Sequence, residues 1–419
     1  MSRLVDRQDD RQWGRHTASV PAPLPHGLLL LPRARERTTS SLRRKVRLLV
    51  ARDLLEDGTR FGAALESALR VSPEAVLNAI GAPDVLPNLL AERSGLLLRA
   101  DARKRALPNL VCALHAAEFT PPEPLLVEGP IDTLAGLPGG RIARLATPAR
   151  ALLLDASGLE VELTDGSYVG LGDVASNVAV HVIPNTPVHL CVEDTNPLSH
   201  LEDHPEKAGN AVDLAGRPVR TWLTALEEAF ELIRVGLPSW FAELPISLER
   251  LLPVGFEAER HLSASYGDAP GIAYLTLHPD PLTLAEAIVH ETQHGKLNLL
   301  LWLDKVLENG RTDWATSPVR PDLRPLMGVL LAVHAFAPVA GLHARLAALE
   351  HPLTQTHRFQ RRRAEVLAGN EGGLAVLRER SHPTRTGARL LKDLEALHAA
   401  TLALAPGAPS GSVNVLPPG

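Results

Sequence analysis

The stretch DPLTLAEAIVHETQHGKLNLLLWL (280–303) decides how this chain is read, because it is a long helical pattern with chemistry embedded in it. Its apolar positions recur at helical period, and Thr283 with Glu286 three residues later has the form of a capping box ahead of Ala285, Ala287, Ile288 and Val289. Asp280-Pro281 is read as the end of the preceding segment, so the motif begins about two turns inside the helix. Within it stands His290-Glu291-Thr292-Gln293-His294, an H-E-x-x-H run. On a helix that spacing turns His290 and His294 to one face, where both imidazoles can reach one metal ion. Leu297 and Leu301 continue the same stripe, so the patch runs into core packing rather than into a charged surface.

Composition sets the surroundings. The chain has 419 residues, enough for two or three domains, with 45% hydrophobic and 22% charged residues as in ordinary globular proteins. A formal net charge of −5 gives no basis for nucleic-acid or membrane partners. Cys112 and Cys191 are too few to make a disulfide framework, which points to reduced thiols and a cytoplasmic protein. The N-terminus MSRLVDRQDDRQWGRH carries acids and no apolar core, unlike a signal peptide, and the run Leu28 to Leu31 is too short to span a bilayer.

The texture of the chain predicts a mainly α (α+β) fold. Residues 1–26 read as a mobile N-terminus, and 27–119 as a helical region carrying LRRKVRLLVARDLLED and FGAALESALR, broken at Gly58 and Pro73. Over 120–218 the period falls to two. There LEVELTDGSYVGL predicts a hairpin around Asp165-Gly166, NVAVHVI and PVHLCVE predict strands bearing His181 and His189 as ordinary strand histidines, and 194–218 is a long polar connection. Residues 219–404 read as the helical domain carrying the motif, and 405–419 as a disordered tail.

Two histidines need a third ligand to make a catalytic metal site. The metzincin continuation is absent, since Leu297 and Leu300 stand at its Gly and His positions, and no glutamate follows at the thermolysin-like distance. Asp313, in Gly310-Arg311-Thr312-Asp313, is a peptidase-style candidate. His334 is the stronger one. Pro325 can open a helix through Leu349, and the forty residues after His294 suffice for a helix end, a loop and an antiparallel return that brings His334 alongside. Pro338 cannot donate to the carbonyl of residue 334, so a kink is expected there.

SASYGDAPGIAYLTLHPDPLTLAEAIVHETQHGKLNLLLWL (263–303), SPVRPDLRPLMGVLLAVHAF (317–336) and HPEKAGNAVDL (204–214) together resemble the HExxH-motif peptide-modification family of ribosomal-peptide gene clusters. The similarity runs from roughly Asp194 to Leu346. It implies an iron(II)- and 2-oxoglutarate-dependent dioxygenase that β-hydroxylates a ribosomally made precursor peptide. Three protein ligands, His290, His294 and His334, would leave positions for the oxoacid and dioxygen. The distal carboxylate of 2-oxoglutarate then needs a bidentate cation, for which Arg320 and Arg324 stand in a proline-stiffened loop. Ser263, Ser265 and Tyr266 could hydrogen-bond oxoacid or peptide.

Two other classes stay open. In a zinc metallopeptidase cleaving a peptide, Glu291 would be the general base; in the hydroxylase it would orient a histidine or a bound water, or itself be a ligand. The third class is a non-catalytic scaffold that retains the motif. The basic run Arg358, Arg361, Arg362, Arg363 reads as a solvated helix face, with docking of an acidic leader peptide as its functional alternative.

Overall fold

A computed structural model describes residues 32–56, 58–201, 203–204, 207–316 and 323–404. The expected mobile N-terminus 1–26 and tail 405–419 lie outside the described residues. The fold is mainly α with smaller sheets, and the chain divides into two compact units, neither continuous in sequence. One comprises Ser41–Thr224 with Leu248–His278; the other contains Ala225–Ser247 and the chain from Pro279 onward.

The first unit opens with the part of helix α1 (Pro32–Leu55) from Ser41 onward, followed by α2 (Arg60–Val71), α3 (Pro73–Ile80), α4 (Leu86–Arg93) and α5 (Arg99–Ala116). Their limits follow local chemistry. Gly58, at φ 63°, breaks the chain after α1; the Thr59 hydroxyl accepts from Gly62 N at 3.0 Å to cap α2; and Pro73 stands at the first turn of α3. Val46, Val50, Leu65, Val76, Ile80 and Leu90 bury the inward faces. Helix α5 packs on the long hairpin of β1 (Leu125–Leu137) and β2 (Arg141–Asp155), which β3 (Gly158–Glu162) and β4 (Tyr168–Gly170) extend antiparallel, while β5 (Asn177–Val178) pairs back with β2. The turn between β3 and β4 falls at Asp165-Gly166 as expected, where the Asp165 carboxylate accepts from Ser167 N at 2.9 Å.

A second sheet in this unit has the order β11-β12-β10-β7-β6, built from β6 (Val180–Val182), β7 (His189–Cys191), β10 (Arg250–Phe256), β11 (Ser263–Ala264) and β12 (Ile272–Leu277). Strand β10 is parallel to both β7 and β12. His181 and His189 lie on strands β6 and β7 as expected. The polar connection carries a small pair, β8 (Asp203–His204) with β9 (Lys207–Ala208). Cys112 and Cys191 are both free and buried.

Helix α6 (Val219–Gly236) leads into the second unit, which holds α7 (Pro238–Phe241), α8 (Leu244–Ser247), α9 (Pro281–Leu301), the hairpin of β13 (Trp314–Thr316) and β14 (Leu323–Pro325), α10 (Leu326–Ala348), α11 (His357–Arg380) and α12 (Arg385–Ala403). Helix α9 starts three residues earlier than the capping-box reading places it: Asp280 is the cap, accepting from Leu282 N at 3.0 Å, and Pro281 is the first helical residue. Aspartate followed by proline is the better start, because proline has no N–H to leave orphaned. Glu286 is thereby released for another role.

Contacts pair Glu286 with His343, His290 with Phe336 and Gln293 with the His334 carbonyl, so numbering rises along α9 as it falls along α10. The two helices are antiparallel, as the expected return requires. Helix α10 is assigned as one helix through Pro338. It alone among the described helices is long and apolar enough to cross a membrane, and it is mostly buried within the fold.

The expected boundaries at 119/120 and 218/219 do not partition the molecule. The helical N-terminal region joins the strand-bearing segment in one unit, and 248–278 leaves the expected 219–404 domain to supply β10, β11 and β12. The reason is pairing: β10 needs β7 beside it, and a buried parallel strand cannot keep its backbone groups unpaired.

Candidate metal centre

Helix α9 delivers His290 and His294 to one face, and their rings meet. The two Nε2 atoms stand 2.8 Å apart, with ring centroids at 4.4 Å and planes at 88°. That separation is a hydrogen-bond length, and it is also close to a metal bite. Two imidazole nitrogens each about 2.1 Å from one ion stand about 3 Å apart at a right angle and about 3.4 Å apart at a tetrahedral angle. The pair therefore fits adjacent positions on one ion, nearer the octahedral than the tetrahedral spacing.

The electrostatics favour the ligand form. Burial pulls His294 below the ordinary imidazole value; the Glu291 carboxylate opposes the shift and the Arg324 guanidinium reinforces it. A neutral imidazole keeps the lone pair that a metal ion takes. Glu291 is itself buried, one residue from His290.

Arg324 reaches this neighbourhood from the β13–β14 hairpin. The register pairs Trp314 with Pro325, Ala315 with Arg324 and Thr316 with Leu323, so strand alternation puts buried Ala315 and Arg324 on one face. Trp314 and Leu323 are exposed on the other. Arg320 lies outside the described residues.

Behind the pair sits a group of side chains that sequence reasoning did not join to one another. Phe336 of α10 lies edge-on to His290 with centroids 4.5 Å apart, and the Arg362 guanidinium of α11 stands 5.6 Å from the Phe336 ring. One turn before His290, Glu286 accepts from His343 Nε2 at 2.8 Å through one oxygen and from Arg362 Nε at 2.8 Å and Nη2 at 2.7 Å through the other. Despite the opposing effect of burial, the His343 and Arg362 contacts hold the Glu286 carboxyl at about 2. Its position at i−4 from His290 was a signal in the sequence. Nothing local marked His343 or Arg362 as its partners.

The basic run on α11 is therefore not a free docking face. Arg362 is bound to Glu286, Arg358 donates to Thr283 Oγ1 at 3.4 Å and pairs with Asp280 at 3.5 Å, and Arg363 is buried. Two of these arginines close over the first half of α9.

The expected third ligands are His334 and Asp313. Among the described residues, no group of three or more His, Cys, Asp or Glu is placed to hold a metal ion. His334 is fully buried on α10, where its carbonyl accepts from Gln293 Nε2 at 3.5 Å, and Phe336 two residues on meets His290 edge-on. Asp313 is engaged elsewhere: its carboxylate accepts from Asn309 Nδ2 at 2.8 Å and Thr312 Oγ1 at 3.0 Å, and those bonds hold its pKa below the ordinary value.

Ser263, Ser265 and Tyr266 belong to the first unit. Ser263 lies on β11 opposite Leu275, and Ser265 follows that strand. The Tyr266 hydroxyl donates to Ser199 O at 2.7 Å and accepts from Asn210 Nδ2 at 2.6 Å, while its ring meets Tyr274 edge-on at 5.4 Å. That makes Tyr266 a fastener of the 194–218 connection. Neither a protein-family model nor a curated protein matches this chain.

Proposed function

We propose that this chain is a metal-dependent enzyme of the HExxH-helix class, with His290 and His294 as two of its metal ligands. More particularly, it is an iron(II)- and 2-oxoglutarate-dependent hydroxylase of a ribosomally made precursor peptide. The donor set fits such an ion: two neutral imidazoles at the right bite, with Glu291 beside them. When bound, iron and the oxoacid supply the transfer of one oxygen atom from dioxygen to a C–H bond.

The observation that supports the reading is a cation on the β13–β14 hairpin whose charge is felt at His294. A hydrolytic site needs a base and a polarised water, whereas 2-oxoglutarate brings a second carboxylate that must be held away from the metal. Arg324, whose charge contributes to the lowering of the His294 titration, would hold that carboxylate. The residues proposed here hold and orient: His290 and His294 present lone pairs, Arg324 clamps, and Glu291 orients a histidine or a water. A cytoplasmic setting with the precursor peptide as partner accompanies the proposal, as do the absence of nucleic-acid and membrane partners.

A zinc metallopeptidase with Glu291 as general base is the second reading, favoured by the burial of Glu291 next to the histidines. One experiment separates the two. Protein reconstituted anaerobically with iron(II), 2-oxoglutarate and precursor peptide, then exposed to dioxygen, should yield succinate and a peptide heavier by one oxygen atom. Cleavage of the peptide with zinc alone and no oxoacid would overturn the hydroxylase reading.

A further inference from the structure

The flank of α9 beside the histidines is tied down by a buried polar chain. The Trp240 indole N–H donates to Gln293 Oε1 at 3.0 Å, and Gln293 Nε2 donates to the His334 carbonyl at 3.5 Å. Chemistry fixes the order. An indole nitrogen can only donate, so it must meet the amide oxygen, and the amide NH₂ is left to face a carbonyl. That carbonyl is the one Pro338 leaves without its helical donor, four residues on. The expected kink site is thus answered from across the interface by the residue next to His294.

A second tie reinforces the first. Lys296 Nζ lies 2.5 Å from Glu243 Oε2 and 5.2 Å from the centre of the Trp240 ring. Trp240, Glu243, Gln293, Lys296 and His334 are all essentially excluded from solvent. Apolar side chains of the same volume could fill this space at little or no cost in stability, because desolvation offsets most of what a buried ion pair returns. What apolar packing cannot supply is one rotational setting of α9, since slippage by a fraction of a turn costs it little while directed bonds break.

We propose that Gln293, anchored by Trp240 and the Pro338-freed carbonyl of His334, is a positioning residue that fixes the rotation of α9 and so aims His290 and His294 at a common ion. The inference rests on the metal reading of the histidine pair. It assigns a task to a position that the H-E-x-x-H pattern leaves unspecified.

The test titrates cobalt(II) alone into the full chain and follows visible absorption, with a chelator competition for affinity and a separate thermal midpoint. Gln293→Met and Trp240→Phe should each weaken cobalt binding by about tenfold or more, as loss of a group orienting metal ligands does. The double variant should be no weaker than the weaker single one, because both remove the same chain of bonds. Should Gln293→Met fail to fold, Trp240→Phe carries the test, since it keeps most of the ring's packing. Folded variants that bind cobalt with wild-type affinity and an unchanged spectrum would overturn the proposal, leaving Gln293 a core residue only. A wild-type chain that takes up no cobalt, iron or zinc would overturn the metal reading and the inference with it.

Discussion

His290 and His294 carry the proposal jointly, so either alone is expendable in no version of it. His290→Ala or His294→Ala should abolish binding of iron(II) by the purified chain, measured as metal retained after gel filtration. His334 is the discriminating residue. With Phe336 edge-on to His290 and His334 fully buried on α10, His334→Ala is expected to lower the thermal midpoint and leave iron affinity near the wild-type value. Loss of iron binding instead would restore His334 as a third ligand. Asp313→Ala should leave iron binding intact, because its carboxylate is occupied by Asn309 and Thr312. Arg324→Ala should raise the 2-oxoglutarate concentration needed for half-maximal succinate formation by about tenfold or more, the cost of leaving a carboxylate without its charged partner. An unchanged requirement would remove Arg324 from the clamp.

At the scale of elements, the join between α9, α10 and α11 is held by Glu286, His343 and Arg362. Glu286 is held at about 2, below its ordinary value of 4.5, so its ionised form is the one the fold prefers. The stability it contributes is fully present above about pH 4.5 and is lost as pH falls towards 2. A shift of that size corresponds to stabilisation on the order of 3 kcal/mol. Glu286→Gln should therefore lower stability at neutral pH and flatten the acid limb of a denaturation profile between pH 4.5 and 2. A variant whose acid limb matches wild type would show that the three helices do not depend on this carboxylate.

At the scale of the whole molecule, the two compact units are each assembled from separated stretches of chain. A fragment spanning 219–404, the expected catalytic domain, carries β10, β11 and β12 but lacks β7, and so leaves one edge of β10 unpaired. That fragment should show helical circular dichroism with poorly dispersed amide resonances and a tendency to aggregate. Dispersed resonances and a sharp unfolding transition would mean that 219–404 is self-sufficient after all. The full chain is accordingly the right object for metal and activity measurements.

The sequence by itself determined what depends on neighbours along the chain. The H-E-x-x-H spacing puts two imidazoles on one helical face because the helix repeats every 3.6 residues, and the structure has their Nε2 atoms at 2.8 Å. Alternation over 158–170 gave a hairpin turning at Asp165-Gly166, and the mainly α class followed from the same periodicities. Helix starts were legible to within a turn, although Thr283 competed with Asp280 for the cap of α9 and the aspartate before proline won. Tertiary structure alone decided which side of α10 meets α9, since the rotation of one packed helix against another is set by interdigitating side chains and not by either sequence taken singly. That rotation puts Phe336 against His290, joins Glu286 to His343, and brings Gln293 to the carbonyl that Pro338 frees. It also fell to non-local pairing to withdraw 248–278 from the motif-bearing stretch, because a strand's partner is chosen by hydrogen bonds between segments some sixty residues apart, of which periodicity along either one carries no record.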